Sequence, residues 1–168
     1  RFGLGRLQYE RVTFPYEQYT KDRSTIRKGD IVYNTHIPSS GPLTKDSRID
    51  SYKRAYEFFM YELKGRPLTV VCHSWLLYPD NEKFFPNRSN IIDFMHDFDV
   101  IDHKVNNDSA PSWRVFGKNY QKPLNELPGE TSLQRAYIDW FRSGNKTGDG
   151  YGILLLDGTD RKSTRLNS

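Results

Sequence analysis

The segment His36-Ile37-Pro38-Ser39-Ser40-Gly41-Pro42-Leu43-Thr44 sets two hydroxyls and a glycine between a β-prone apolar run and a long amphipathic stretch. Such a junction can aim backbone amides and the positive end of a helix at an anion, and a glycine lets the chain approach it closely. Ser39, Ser40, Gly41 and Thr44 are therefore candidate anion-binding residues, with Lys45 and Arg48 adding attraction. A proline-bounded turn followed by a threonine cap is also how an ordinary helix begins, and Pro42 removes one donor. Both readings stand on the residues alone.

Cys72, His73 and Ser74 have the residue types of a nucleophile–base pair but the wrong spacing. On a strand, neighbouring side chains point to opposite faces, so neither Cys72 nor Ser74 can be paired directly with His73. Cys72 reads as a small core residue. His73 has two readings, a base reaching across a cleft or a core histidine bonded to backbone. The four histidines, His36, His73, His96 and His103, show no compact ligand spacing, and no metal is expected. Asp93 and Asp97 share one face of an expected helix, where a solvated or cation-paired surface is the simpler role.

Lys+Arg 25 against Asp+Glu 21 gives a net charge of +4, and the cations alternate with acids, so no nucleic-acid stripe is expected. Cys72 is the sole cysteine, which excludes an internal disulfide and fits a reducing, cytoplasmic compartment. No apolar run is long enough for a membrane span, and no signal-like segment is present. The chain opens on Arg1 within a strand-like run, an expectation that an upstream portion exists.

The elements that must carry these residues read as follows. Leu4, Leu7, Tyr9 and Val12 suggest an edge strand within 2–13; 15–29 is polar and turn-rich; Ile31–Ile37 is a second strand. Ile49, Tyr52, Tyr56, Phe59 and Leu63 recur at helix spacing from a start near Thr44 to a stop before Gly65. Leu68–Leu77 is a continuous apolar run suited to a central strand. Short helices are expected at Asn81–Phe85 and Ser89–Phe98, strands at Asp99–Val105 and Trp113–Phe116, and a polar excursion between them. Thr131-Ser132-Leu133-Gln134 is a capping box that opens a helix bearing Leu133, Ala136, Tyr137, Trp140 and Phe141. Tyr151–Leu156 is a last strand. Residues 160–168 lack apolar periodicity and are set aside as a disordered or non-native tail. Alternating strands and helices imply an α/β chain with a mixed sheet and crossover helices.

Several blocks carry a resemblance. Residues 3–10 (GLGRLQYE), 36–44 (HIPSSGPLT), 71–77 (VCHSWLL), 89–92 with Phe94, 113–117 (WRVFG) and 131–136 (TSLQRA) resemble successive blocks of the GNAT-like carboxy-terminal domain of bacterial acyltransferase-domain proteins. The resemblance implies a GNAT-like acyltransferase fold over 1–159, an incomplete carboxy-terminal portion of a protein whose upstream domain is helical. It implies that 39–44 is a pyrophosphate loop and that pantetheine runs between two splayed parallel strands. The glutamine-or-arginine and double-glycine motif of well-characterised acetyltransferases is missing. The implied activity is transfer of an acyl group from acetyl-CoA or another acyl-coenzyme A to a small-molecule or peptide amine, through a tetrahedral intermediate. His73 is then the first base candidate and Tyr56 the acid. The alternative is a catalytically degenerate scaffold or binding module.

Overall fold

The structure is a computed structural model that describes residues 1–107 and 112–158. It divides into two compact units. Among the described residues, the first comprises Arg1–Cys72, His96–Asp99 and 153–158; the second comprises His73–Met95, 100–107 and 112–152.

In the first unit, β1 (Phe2–Leu4) and β2 (Leu7–Thr13) form a tight antiparallel hairpin in which Leu4 faces Leu7. Leu7 and Tyr9 are buried and the residues between and after them are not, the period of two that a half-covered strand requires. β2 then pairs antiparallel with β5 (Ile31–His36), from Gln8 opposite His36 to Thr13 opposite Ile31. β5 pairs in parallel with β6 (Leu68–Ser74), with Tyr33 opposite Val70. Parallel neighbours need a crossover, and α1 (Lys45–Leu63) supplies it. Its buried positions Arg48, Ser51, Tyr52, Ala55, Phe59 and Leu63 follow the three-and-four spacing of one helix face. Thr44 caps the helix by accepting from Ser47 N at 3.2 Å, and Lys64 ends it in a left-handed conformation. The six-stranded sheet has the order β1-β2-β5-β6-β8-β7, and β7 (Asp99–Val105) and β8 (Gly148–Leu156) contribute residues to both units. No helix among the described residues is long and apolar enough to cross a membrane.

Two features fasten α1. Ser51 Oγ donates to Leu4 O at 2.5 Å and accepts from Leu7 N and Tyr9 OH, so one hydroxyl satisfies both strands of the first hairpin. Arg48 is wholly buried and meets Asp97 with two hydrogen bonds, at 2.7 and 3.1 Å; Tyr52 OH donates to the same carboxylate at 2.7 Å. Burial, reinforced by that carboxylate, drives the Tyr52 pKa well above its ordinary value.

The second unit carries an aromatic cluster. Phe85, Phe116, Tyr137 and Ile138 are buried together, with Trp75, Phe84 and Phe141 packed against them. Phe84 stacks on Trp140 with centroids 4.4 Å apart. Three short helices, α2 (Asn81–Phe84), α3 (Asn90–His96) and α4 (Trp113–Phe116), precede α5 (Ser132–Arg142), whose expected capping box is present through Thr131 and Gln134. β8 comes unusually close to its neighbour: a Cβ added at Gly150 would lie 2.0 Å from Leu77 O and 2.6 Å from Leu77 C.

Some expectations are corrected. The strand drawn through Leu77 stops at Ser74, whose hydroxyl accepts from Leu76 N and starts a single 3₁₀ turn, Trp75–Leu77. Trp113–Phe116 is a helix because its role is to bury Phe116 in the aromatic cluster while Trp113 stays 49% exposed, and four β-prone residues cannot decide type by themselves. The turn-rich stretch 15–29 contains a hairpin, β3 (Gln18–Lys21) and β4 (Ser24–Arg27), pairing Tyr19 with Ile26. The expected polar excursion lies partly, and the tail 160–168 wholly, outside the described residues.

Candidate functional site

The loop from β5 to α1 is built by a residue 32 to 36 positions upstream. Arg6, at the turn of the first hairpin, donates to Pro38 O at 2.8 Å, to Gly41 O at 2.8 Å and to Pro42 O at 3.3 Å. A rigid guanidinium fork thus draws the loop's carbonyls to one side. Ser40 N bonds to Pro38 O at 2.9 Å, which tightens the turn. Gly41 has φ +93°, a conformation L side chains rarely adopt, and nothing lies within 4 Å of where its Cβ would be. Ser39, Ser40, Gly41, Thr44 and Lys45 are exposed. With Ser47 N committed to Thr44, the first-turn amides of Lys45 and Asp46 keep the unsatisfied donors of a helix start. The donor set is suited to an anion.

At the loop end of β5 sits a pair that spacing did not single out. His36 Nε2 lies 2.6 Å from Glu10 Oε1, and Asn34 Nδ2 lies 3.0 Å from the same ring nitrogen. His36 and Asn34 are two apart on β5 and share a face, while Glu10 stands opposite Asn34 on β2. The hydrogen bond from His36 holds the Glu10 carboxyl below its ordinary range, with the histidine's charge and Arg1 contributing further. The imidazole is part-buried and Pro38 follows two residues later. With Nε2–H given to the carboxylate, Nδ1 is the nitrogen left to take a proton. The signal available in the sequence was the polar pair Asn34/His36 on one face of a strand that opens with Ile31-Val32-Tyr33.

The expected site residues separate into groups. Ser39, Ser40, Gly41, Thr44 and Lys45 share the loop and helix start. Arg48 does not join them, because its side chain is turned inward and its charge is met by Asp97. The expected surface role of Asp97 is corrected by the same contact: it follows α3 and is buried. Tyr56 lies twelve residues beyond Thr44 on α1, about 18 Å along the axis, and its ring packs where Gly158 passes. His73 is exposed on β6, which removes the reading as a core histidine. Cys72 before it is buried, and burial pushes its thiol up to about 12. That is an inert, not a nucleophilic, cysteine. Among the described residues, no group of three or more His, Cys, Asp or Glu is placed to hold a metal ion.

Several solved structures resemble this chain. One is an acyltransferase in complex with decanoyl-CoA, at 29% identity and TM-score 0.71, covering 92% of this chain and 45% of that one. A second is an acyltransferase in complex with decanoyl-CoA and teicoplanin, at 29% identity and TM-score 0.72, covering 92% and 46%. A third is an acyltransferase mutant in complex with octanoyl-CoA, at 28% identity and TM-score 0.72, with the same coverage. This chain therefore spans less than half the length of the structures it matches. Comparison with curated proteins gave no match. The profile of the GNAT-like C-terminal domain matches residues 2–154, and the chain belongs to that family.

Proposed function

We propose that this chain provides the acyl-coenzyme A-binding part of an N-acyltransferase. The observation that carries the reading is the match of 92% of the chain, at 29% identity, to acyltransferases solved with decanoyl-CoA. The loop chemistry fits the assignment. Ser39, Ser40, Gly41 and the amides at the start of α1 would hold the diphosphate, Thr44 would keep that helix start capped, and Lys45 would add an exposed positive charge. Arg6 shapes the loop, three of its five N–H donors being spent on loop carbonyls.

The bound thioester supplies an activated acyl carbonyl. The chain's own residues must orient the acceptor and remove its proton. His36 takes that role in preference to His73 or Tyr56, because Glu10 fixes its ring and would stabilise the imidazolium formed. The acceptor is an amine on a small molecule or peptide; teicoplanin accompanies decanoyl-CoA in one of the similar structures.

The test uses the full-length protein. Calorimetric titration should detect coenzyme A and decanoyl-coenzyme A, and Gly41→Val should weaken both while its thermal melt stays cooperative. His36→Gln should lower kcat by about 10²-fold or more, with Glu10→Gln intermediate and KM for the acyl donor little changed. Folded Gly41→Val that binds coenzyme A as wild type does would remove the loop from the site. Full activity in His36→Gln would remove the base. Absence of any coenzyme A binding would leave the non-catalytic module as the function, with chemistry residing in the rest of the protein.

A further inference from the structure

The first unit also contains a cavity of about 530 Å³ at the opposite end of β5 from His36. This volume falls in the range of small-ligand pockets, roughly 300–1,000 Å³. Ile31 and Tyr33 line it from β5, and Leu63 lines it from the last turn of α1. Five residue steps along the strand separate Ile31 from His36, about 17 Å, and the loop at 39–44 contributes nothing to the lining.

The β3–β4 hairpin supplies Ser24, Thr25 and Ile26 to one wall. It is anchored at several points. Tyr19 OH donates to Asp99, Lys21 Nζ lies 3.8 Å from the same carboxylate, and Gly29 N donates to Phe14 O at 2.9 Å. The wall is therefore built into the unit rather than lent by a loose loop.

Charge in the cavity has a definite sign. Arg11 is held by both oxygens of Glu62, at 2.9 and 2.6 Å, and Tyr33 OH donates to that carboxylate at 2.8 Å, so this pair is closed on itself. The Asp30 carboxylate accepts from Arg27 N at 2.7 Å. Arg66 spends Nε on Leu63 O at 2.9 Å and Nη2 on Glu62 O at 3.5 Å, which leaves Nη1 for a ligand. Arg23 makes no hydrogen bond or ion pair among the described residues, and Thr69, 8% exposed, lines the same space. Three arginines against two carboxylates leave one positive charge over. Beside it lies an apolar floor: Ile26 and Leu63 are buried, while Ile31 is 55% exposed and open to a ligand.

We propose that this cavity binds a small amphiphilic monocarboxylate, its head group on Arg23 and Arg66 and its chain against Ile26, Ile31 and Leu63. Guanidinium forks match a carboxylate in geometry, and a single surplus charge selects a monoanion over a phosphate dianion. The site is separate from the acyl-transfer reading and does not depend on it.

The experiment is a titration of the full-length protein with sodium octanoate, octan-1-ol and inorganic phosphate, followed by methyl NMR. Octanoate should shift the methyls of Ile26, Ile31 and Leu63 and leave Leu43, beside the other loop, unmoved. Arg23→Gln should weaken octanoate about tenfold, the loss of one charge-assisted hydrogen bond, with an unchanged melting temperature and unchanged coenzyme A affinity. Arg66→Gln should act in the same direction. The proposal is overturned if octanoate leaves the three methyls unmoved, if Arg23→Gln binds it as wild type does, or if octan-1-ol or phosphate binds as tightly.

Discussion

The two units differ in what fastens their interiors: both bury large aromatic rings, Phe14 and Phe59 in the first among them, but the first adds buried polar groups held by directional bonds. In the first, Arg48, Tyr52, Ser51 and Tyr9 are fully buried polar or amphipathic side chains, each joined to a specific partner by directional bonds. In the second, Phe84, Phe85, Phe116 and Tyr137 interlock edge to face or tilted, with centroids between 5.0 and 6.4 Å. An aromatic cluster gains mainly from area removed from water and tolerates small rearrangements. A buried ion pair contributes little net stability against an apolar replacement of the same shape, but it admits one geometry only. The unit that carries the loop and the His36–Glu10 pair is the one whose helix is fixed by direction.

That contrast can be broken most forcefully at Asp97. Asp97→Leu removes the carboxylate that meets the buried Arg48 guanidinium and should cost about 3–5 kcal/mol, read from urea melts. A loss under 1 kcal/mol would mean that the pair is not what holds α1. Deleting one phenolic hydroxyl in each unit sharpens the comparison. Tyr52→Phe removes a hydrogen bond to a buried carboxylate and should cost about 1.5–3 kcal/mol. Thr131→Ala, which removes half of the capping box of α5, should cost about 1 kcal/mol, with an unchanged denaturant slope. Tyr137→Phe should change stability by no more than about 0.5 kcal/mol, because that hydroxyl makes no hydrogen bond among the described residues. Equal costs for the two tyrosine variants would erase the distinction between the units.

The two long helices were readable because both kinds of signal coincided there. Periodicity placed Tyr52, Phe59 and Leu63 on one face, and Thr44 and Thr131 marked the starts; the caps are found at those residues. The mixed sheet and the GNAT-like fold were readable from element order and from blocks of resemblance. Shorter elements were not. Four-residue segments such as Trp113–Phe116 carry too few positions to separate a period of 2 from one of 3.6, and the pairing of Tyr19 with Ile26 depends on a turn at Asp22 that has positive φ without glycine. Pairs distant in sequence were invisible for another reason. Arg48 and Asp97 are 49 residues apart, and His36 and Glu10 are 26 apart. Composition shows each charge but not its partner, so Arg48 looked like a free cation and His36 like one histidine among four.

The close approach of β8 to Leu77 has a consequence at the level of the gene. Every missense change open to a glycine codon adds a Cβ, and at Gly150 any Cβ would collide with the backbone oxygen and carbon of Leu77. No flexible side-chain end can swing aside there. Point mutation at that codon can therefore be silent or disruptive, with no intermediate outcome. At Gly41, by contrast, a Cβ would meet open space and the obstacle is backbone conformation alone, so asparagine or aspartate, which tolerate left-handed geometry best after glycine, could occupy it at modest strain. The two codons carry the same amino acid but face different selection, one set by volume and the other by torsion.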